Sequence, residues 1–235
     1  MARILFVLTS YTDLGETGRK TGFYFEEMAT PFYMLTDAGH DVTLASIAGG
    51  AADPDPASLD SDPDKRPADV QRFLDDKGAV AALASTKKLA DVCENDFDAV
   101  FLPGGHGAMW DFPGNADLAR LIVRTHGAGG VIGAVCHGPA GLLDAEDDDG
   151  RPLVAARRIN AFTDREEAAM GLTDAMPFLL ESALRDRGAD VEIGGDFTET
   201  ALRDDRIVTG QNPMSSGAVA RLMLNALEET QAQAA

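Results

Sequence analysis

The chain has 235 residues, 45% of them hydrophobic and only 6% aromatic, with 24 glycines. That suffices for one sizeable core, leaves little room for two full domains, and suits a loop-rich α/β protein. Thirty-nine acidic against 20 basic residues give a formal net charge of -19; this argues against nucleic acid or an anionic membrane as partner and reads first as solubility.

The opening apolar run, residues 1–8, is too short for a secretory signal and lacks its cleavage pattern. No stretch approaches the roughly 18 apolar residues of a membrane span. Cys93 and Cys136 are the only cysteines and no C-x-x-C occurs, so no disulfide framework is expected and a reducing, cytoplasmic setting is. The histidines, His40, His106, His126 and His137, lack ligand spacing; no metal site is expected.

In chain order, residues 3–9 read as a first parallel strand. Residues 10–20 form a polar, glycine-rich loop at its carboxyl end. Within it Gly15 to Thr21 imitates a phosphate loop, but Arg19 stands where that motif needs glycine. Residues 22–38 carry Phe23, Met28, Phe32 and Leu35 at helical spacing, with Gly39 as a stop and Pro31 disturbing the helix midway. Glu26 and Glu27 sit inside this otherwise apolar segment. One of them can face solvent; the other is forced inward, where a buried carboxyl keeps its proton.

Residues 40–46 are the second strand, and residues 49–67 are an acidic, Pro- and Asp-rich surface excursion. Residues 70–92 give two short helical patterns. Residues 98–103 are a buried strand followed by Gly104-Gly105-His106-Gly107, which is either a tight turn or a set of amides freed to bind an oxyanion. A helix over 115–125 leads into a strand over 129–135. Further elements are expected as a helical start at 138–143, a strand at 157–162, a helix at 174–187, strands at 190–193 and 206–209, and an amphipathic helix at 214–227 before a frayed tail, 228–235. Thr163 or Asp164 with Glu167 fits a capping-box pattern. The alternation predicts a doubly wound, mostly parallel sheet sandwiched by helices, with ligands at the strand carboxyl ends.

The most informative stretch is Gly133-Ala-Val-Cys136-His137-Gly138-Pro139. A strand that ends abruptly between glycines lifts the side chain at the turn to the sheet edge, the logic of a nucleophile elbow with Cys in place of Ser. A plain buried cysteine is the competing local reading. If the stretch is an elbow, the following helix should lower the thiol pKa, a protonated glutamic acid can donate to the thiolate, and a carboxylate can orient His137.

Six ordered blocks resemble one family: Thr21 to Glu27, Pro31-Phe32, Leu102 to Gly107, Ala134 to Pro139, Phe162-Thr163-Asp164 with Glu167, and Val208 to Pro213. Together they resemble the DJ-1/PfpI superfamily and, within it, the Hsp31-like branch, from the first strand to the last helix. The resemblance implies a flavodoxin-like fold, a single domain over 1–235 with a small cap around 47–95, and homodimers. It implies Cys136 as nucleophile, His137 as its partner, Glu27 rather than Glu26 as the acid touching the thiol, and Gly105 with His137 and His106 at the oxyanion position. Glu167 matches the acid that orients the histidine; Asp164 is the reserve, because other relatives use Asp. No cofactor is implied.

The activity implied is that of a glutathione-independent glyoxalase, a D-lactate dehydratase acting on a small reactive dicarbonyl such as methylglyoxal. A holding chaperone for unfolded clients, a protein deglycase and an isocyanide hydratase would use the same cysteine. Glutamine amidotransfer is excluded, because its triad needs a late histidine and none follows His137; the smaller protease-like relatives lack the inserted loops.

Overall fold

The computed structural model describes residues 1–234. The continuous apolar runs become the strands of one main sheet, as expected for strands covered on both faces. Its strands are β1 (Arg3–Leu8), β2 (Asp41–Ser46), β3 (Lys87–Lys88), β4 (Ala99–Leu102) and β5 (Val131–Val135). Two more, β8 (Ala201–Asp204) and β9 (Ile207–Gly210), close it, and β6 (Arg158–Ile159) pairs with β7 (Asp190–Val191) in a separate two-stranded sheet. The seven-stranded order is β3-β2-β1-β4-β5-β9-β8, parallel except for the β8–β9 hairpin. The strand order reverses between β1 and β4, so the carboxyl ends of β1, β4 and β5 border a switch-point crevice.

Successive side chains of β1 alternate across the sheet and seed two cores. Ile4, Phe6 and Leu8 meet one layer, built from α1 (Phe25–Asp37), α2 (Ala68–Asp75), α3 (Lys77–Leu83) and, from the chain's other end, a long carboxy-terminal helix. Leu5 and Val7 meet the other, which includes α4 (Ala108–Asp111), α5 (Ala116–Gly127), Leu172 and Met176 beyond α6 (Asp164–Ala169), and α7 (Leu180–Asp186). The carboxy-terminal helix is α8 (Ser216–Ala234), which packs Val219 and Met223 under the sheet. The result is the doubly wound, flavodoxin-like sandwich that the alternation predicts. No helix among the described residues is long and apolar enough to cross a membrane.

Several boundaries differ from expectation. Helix α1 starts at Phe25 rather than residue 22 and runs through Pro31 to Asp37, because its buried face packs tightly enough to hold the turn. The strand expected at 157–162 shrinks to β6 outside the main sheet, and the helix expected at 174–187 is regular only over α7. Residues 228–234 continue α8 instead of fraying; Ala235 lies outside the described residues. Residues 47–95 add β3 to the sheet edge, and Phe73 of α2 packs with ring centroids 5.4–6.2 Å from Phe25, Phe32 and Tyr33 on α1.

Candidate active site

Strand β5 ends at Val135, and Cys136 follows with φ +60, a left-handed backbone that a side-chain-bearing residue adopts at a cost of about 1–2 kcal/mol. The sheet enforces it. The Cys136 amide donates to the Gly210 carbonyl and the Cys136 carbonyl accepts from the Phe162 amide, both at 2.9 Å. Gly138, two residues on, lies against the Leu102 carbonyl with no space for a Cβ. The nucleophile-elbow reading therefore holds in its geometry: a strained turn carries the sulfur to the floor of a cavity, 3% exposed.

Three chain segments meet the sulfur. Glu27, in the first turn of α1, is fully buried, whereas Glu26 is only partly so. One carboxyl oxygen of Glu27, Oε2, accepts the Gly104 amide at 2.7 Å, and the other, Oε1, has no hydrogen-bond partner. Burial pushes Glu27 up to about 8, against the lowering pull of Cys136 and the Gly104 amide, so the group carries its proton at neutral pH. The Gly105 and His137 amides both bond Cys136. Gly105 reaches it with φ +100, in a spot where a Cβ would strike Gly22, Phe23 and Tyr24. Two amides converging on one sulfur are the material of an oxyanion hole.

His137 Nδ1 lies 3.3 Å from Cys136 Sγ, and its Nε2 lies 2.9 Å from Glu167 Oε2. Burial, with help from neighbouring His106, holds the imidazole below its ordinary pKa; it is neutral at pH 7 and presents a lone pair to the thiol while Nε2–H donates to Glu167. Burial alone would raise Glu167, but the His106 and His137 hydrogen bonds outweigh it and bring the carboxyl to about 2. Cys136, His137 and Glu167 thus lie in one hydrogen-bonded line, an arrangement that could serve as nucleophile, base and orienting acid.

The same geometry settles the choices left open by spacing. His106, expected at the oxyanion position, instead reaches Glu167 Oε1 through Nε2 at 3.1 Å. Asp164, the reserve acid, holds Ser182 in the first turn of α7 and is not part of the line. The capping box at α6 belongs to Thr163 and Glu166, not to Glu167. One residue of helical rotation, about 100°, separates a structural from a chemical role here.

The thiol itself departs from expectation. The element after the elbow is a short 3-10 turn (Gly138–Leu142), with little macrodipole to offer. Burial, and then the neighbouring Glu27, push the Cys136 thiol well above its ordinary pKa; the Gly105 and His137 amides pull the other way without winning. The resting group is a thiol, and its proton must be taken by a base in place.

Above the sulfur opens a cavity of about 140 Å³. Its lining includes residues to which the sequence analysis gave no role in the site: Tyr24, Asp55, Phe162, Met170, Phe197 and Met214. Burial, with Glu27 and Cys136 nearby, pushes the Tyr24 phenol up to about 12, so it remains a hydrogen-bond donor. The loop after β9 contributes indirectly: Gln211 and Asn212 donate to Glu166 Oε1 at 3.1 and 2.9 Å, which leaves Pro213 and Met214 at the cavity wall. His106, His137 and Glu167 bring ligand atoms within 4.8 Å of one another, the one such set among the described residues; a cation there would have to replace the two imidazole–carboxylate hydrogen bonds.

The model of the DJ-1/PfpI family matches residues 20–226. Glyoxalase 3 of Candida albicans is 32% identical, covering 97% of this chain and 99% of its own length. The crystal structure of glyoxalase III from Candida albicans superposes with a TM-score of 0.88 at 32% identity, over 96% of this chain and 97% of that one. The Rapid Encystment Protein of Francisella tularensis superposes with a TM-score of 0.92 at 33% identity, over 97% and 99%. With the fold, the elbow and these matches in agreement, the chain belongs to the DJ-1/PfpI family.

Proposed function

We propose that the protein is a glutathione-independent glyoxalase that converts a 2-oxoaldehyde such as methylglyoxal, with water, into the 2-hydroxy acid. The observation that carries this reading is the geometry around one sulfur: His137 Nδ1 lies 3.3 Å from Cys136 Sγ while its Nε2 is held by Glu167 at 2.9 Å, and the buried Glu27 carboxyl, its pKa raised to about 8, stands close to the thiol. The full-length similarity to Candida albicans glyoxalase 3 supports it.

In this mechanism His137 Nδ1 takes the thiol proton and the Cys136 sulfur bonds to the aldehyde carbon. The carbonyl electron pair moves onto oxygen, where the Gly105 and His137 amides receive the charge before it is protonated. A base then removes the former aldehyde hydrogen as a proton. Its bonding pair becomes the second bond of an enediol while the ketone oxygen takes up a proton. His137 is the fitting base, because Glu27 already holds a proton below about pH 8 and serves as donor instead. Protonation at the neighbouring carbon, with loss of the proton from the sulfur-bearing carbon's hydroxyl, leaves a thioester. Water attacks it, the thiolate leaves, and the 2-hydroxy acid departs. The reaction is an internal redox rearrangement, so no external electron carrier enters its balance.

The test is direct. Purified protein without glutathione should turn methylglyoxal into lactate, and Cys136→Ala should lose that activity entirely. Wild-type protein that leaves methylglyoxal unchanged, or a fully active Cys136→Ala, overturns the reading.

A further inference from the structure

Six large hydrophobic side chains are exposed among the described residues, and three of them, Met170 (46%), Phe197 (38%) and Met214 (52%), line the cavity above Cys136. Scattered apolar side chains on a surface need no explanation, but a contiguous apolar rim around a cleft marks a binding site. These three come from separate stretches: the end of α6, the loop after β7 and the turn before α8.

The rim is built. Phe197 holds a left-handed backbone, φ +50, and its amide donates to Glu166 Oε1 at 2.8 Å. Asn212, two residues before Met214, donates to that same oxygen. Glu166 is completely buried, and its Oε2 is occupied by Thr163. One buried carboxylate therefore ties two rim segments to the first turn of the helix that also carries Glu167. The apolar surface continues inward: the Phe162 ring lies 6.2 Å from Phe197 and 4.5 Å from His137. An apolar wall runs unbroken from the reacting sulfur's neighbour out to the mouth.

Methylglyoxal has only a methyl group to offer this wall, whereas a larger apolar substituent could cover more of it. The space, about 140 Å³, is close to the roughly 150 Å³ of an apolar cavity known to take up benzene.

We propose that Met170, Phe197 and Met214 form a subsite for a bulky apolar substituent, so that the preferred substrates are aryl or branched-alkyl 2-oxoaldehydes rather than methylglyoxal. This rests on the reading of Cys136 as a carbonyl-capturing nucleophile. Glu166 is a positioning residue for the subsite: it touches no substrate and acts through the Phe197 amide and the Asn212 side chain.

The test compares kcat/KM for phenylglyoxal and methylglyoxal in the wild type, Phe197→Ser and Met214→Ser. Burial of one extra apolar group discriminates by roughly 10- to 200-fold. Phenylglyoxal should therefore be favoured about tenfold or more, and each variant should lower that ratio about fivefold or more, with the loss appearing in KM. Met214 is half exposed, so its replacement keeps the comparison valid if Phe197→Ser does not fold. A wild-type ratio near one, or an unchanged ratio in folded Met214→Ser, overturns the subsite. A second readout needs no turnover: acetophenone should slow iodoacetamide alkylation of Cys136, followed by mass, at least fivefold more than acetone does. Such protection with neither aldehyde consumed keeps the subsite and overturns the glyoxalase reading. Methylglyoxal turnover without such protection does the reverse.

Discussion

Glu167 Oε2 accepts from His137 Nε2 at 2.9 Å, while its other oxygen engages His106 at 3.1 Å, so one carboxylate is shared by two imidazoles. The sharing keeps Glu167 ionised and fixes His137 with its Nδ1 lone pair toward the sulfur.

Glu167→Gln should therefore lower kcat by about 10²–10⁴-fold, the range for removing the charge behind a catalytic histidine. Asp164→Ala should keep activity within about twofold. It should lose roughly 1 kcal/mol of stability, because Asp164 ties Ser182 into the first turn of α7. Steady-state kinetics beside thermal melts separates the two. If the pattern is reversed, Asp164 is the orienting acid.

Glu27→Gln should abolish turnover while stabilising the fold at neutral pH. In the folded state the Glu27 pKa is raised from 4.5 to about 8. Its contribution to stability is thus fully present below about pH 4.5 and is lost as pH rises through 8, since the unfolded chain releases the proton first. At pH 7 that conflict costs about 3 kcal/mol, and glutamine relieves it while still accepting the Gly104 amide. Denaturant melts at pH 5 and pH 8 should show a gain that grows with pH; equal gains at both would mean that Glu27 is not the source.

The pH profile of kcat/KM should be bell-shaped. On the acid side it falls as His137 takes a proton, at a pH below the ordinary histidine value of 6.5 because burial lowers that group. On the basic side it falls above about 8, when Glu27 ionises beside the sulfur. A rate that climbs steadily to pH 10 would instead identify free ionisation of the thiol as controlling.

Gly104→Ala should destabilise by about 2–3 kcal/mol and remove activity, since its Cβ would sit 2.6 Å from the His137 nitrogen and 2.7 Å from Glu27 Oε2 and the Val135 carbonyl oxygen. Gly127→Ala, near the end of α5 with nothing within 4 Å, is the matched control and should be neutral or stabilising by up to about 1 kcal/mol. Paired melts of the two variants check it.

The parallel core was legible because β1 from Ile4 to Leu8, β4 and β5 carry no polar side chain, a pattern that only a doubly covered strand needs. Strand β8 was not, because Ala201 to Asp204 is a half-buried, mixed-polarity antiparallel edge. The cysteine, the histidine and Glu27 were readable from ordered motifs, since each lies beside a strand end. The choice between Glu167 and Asp164 was not, because other relatives use Asp and only the packing of α6 puts Glu167 on His137 and Asp164 on Ser182. The rim residues Met170, Phe197 and Met214 carry no local signal at all; loops bring them together through a buried carboxylate. The thiol pKa was misjudged because burial outweighs a helix dipole that five residues of 3-10 turn cannot supply.

The left-handed backbone at Cys136 restricts what chemistry this elbow can evolve. A serine or an unbranched carboxylate could occupy φ +60 at a cost similar to that of cysteine. A threonine, branched at Cβ, would crowd its own carbonyl there and force the turn open, breaking the bonds to Gly210 and Phe162 that aim the side chain. The backbone thus admits only unbranched nucleophiles, and the fold sets the repertoire of its reactive atom before any neighbour tunes it.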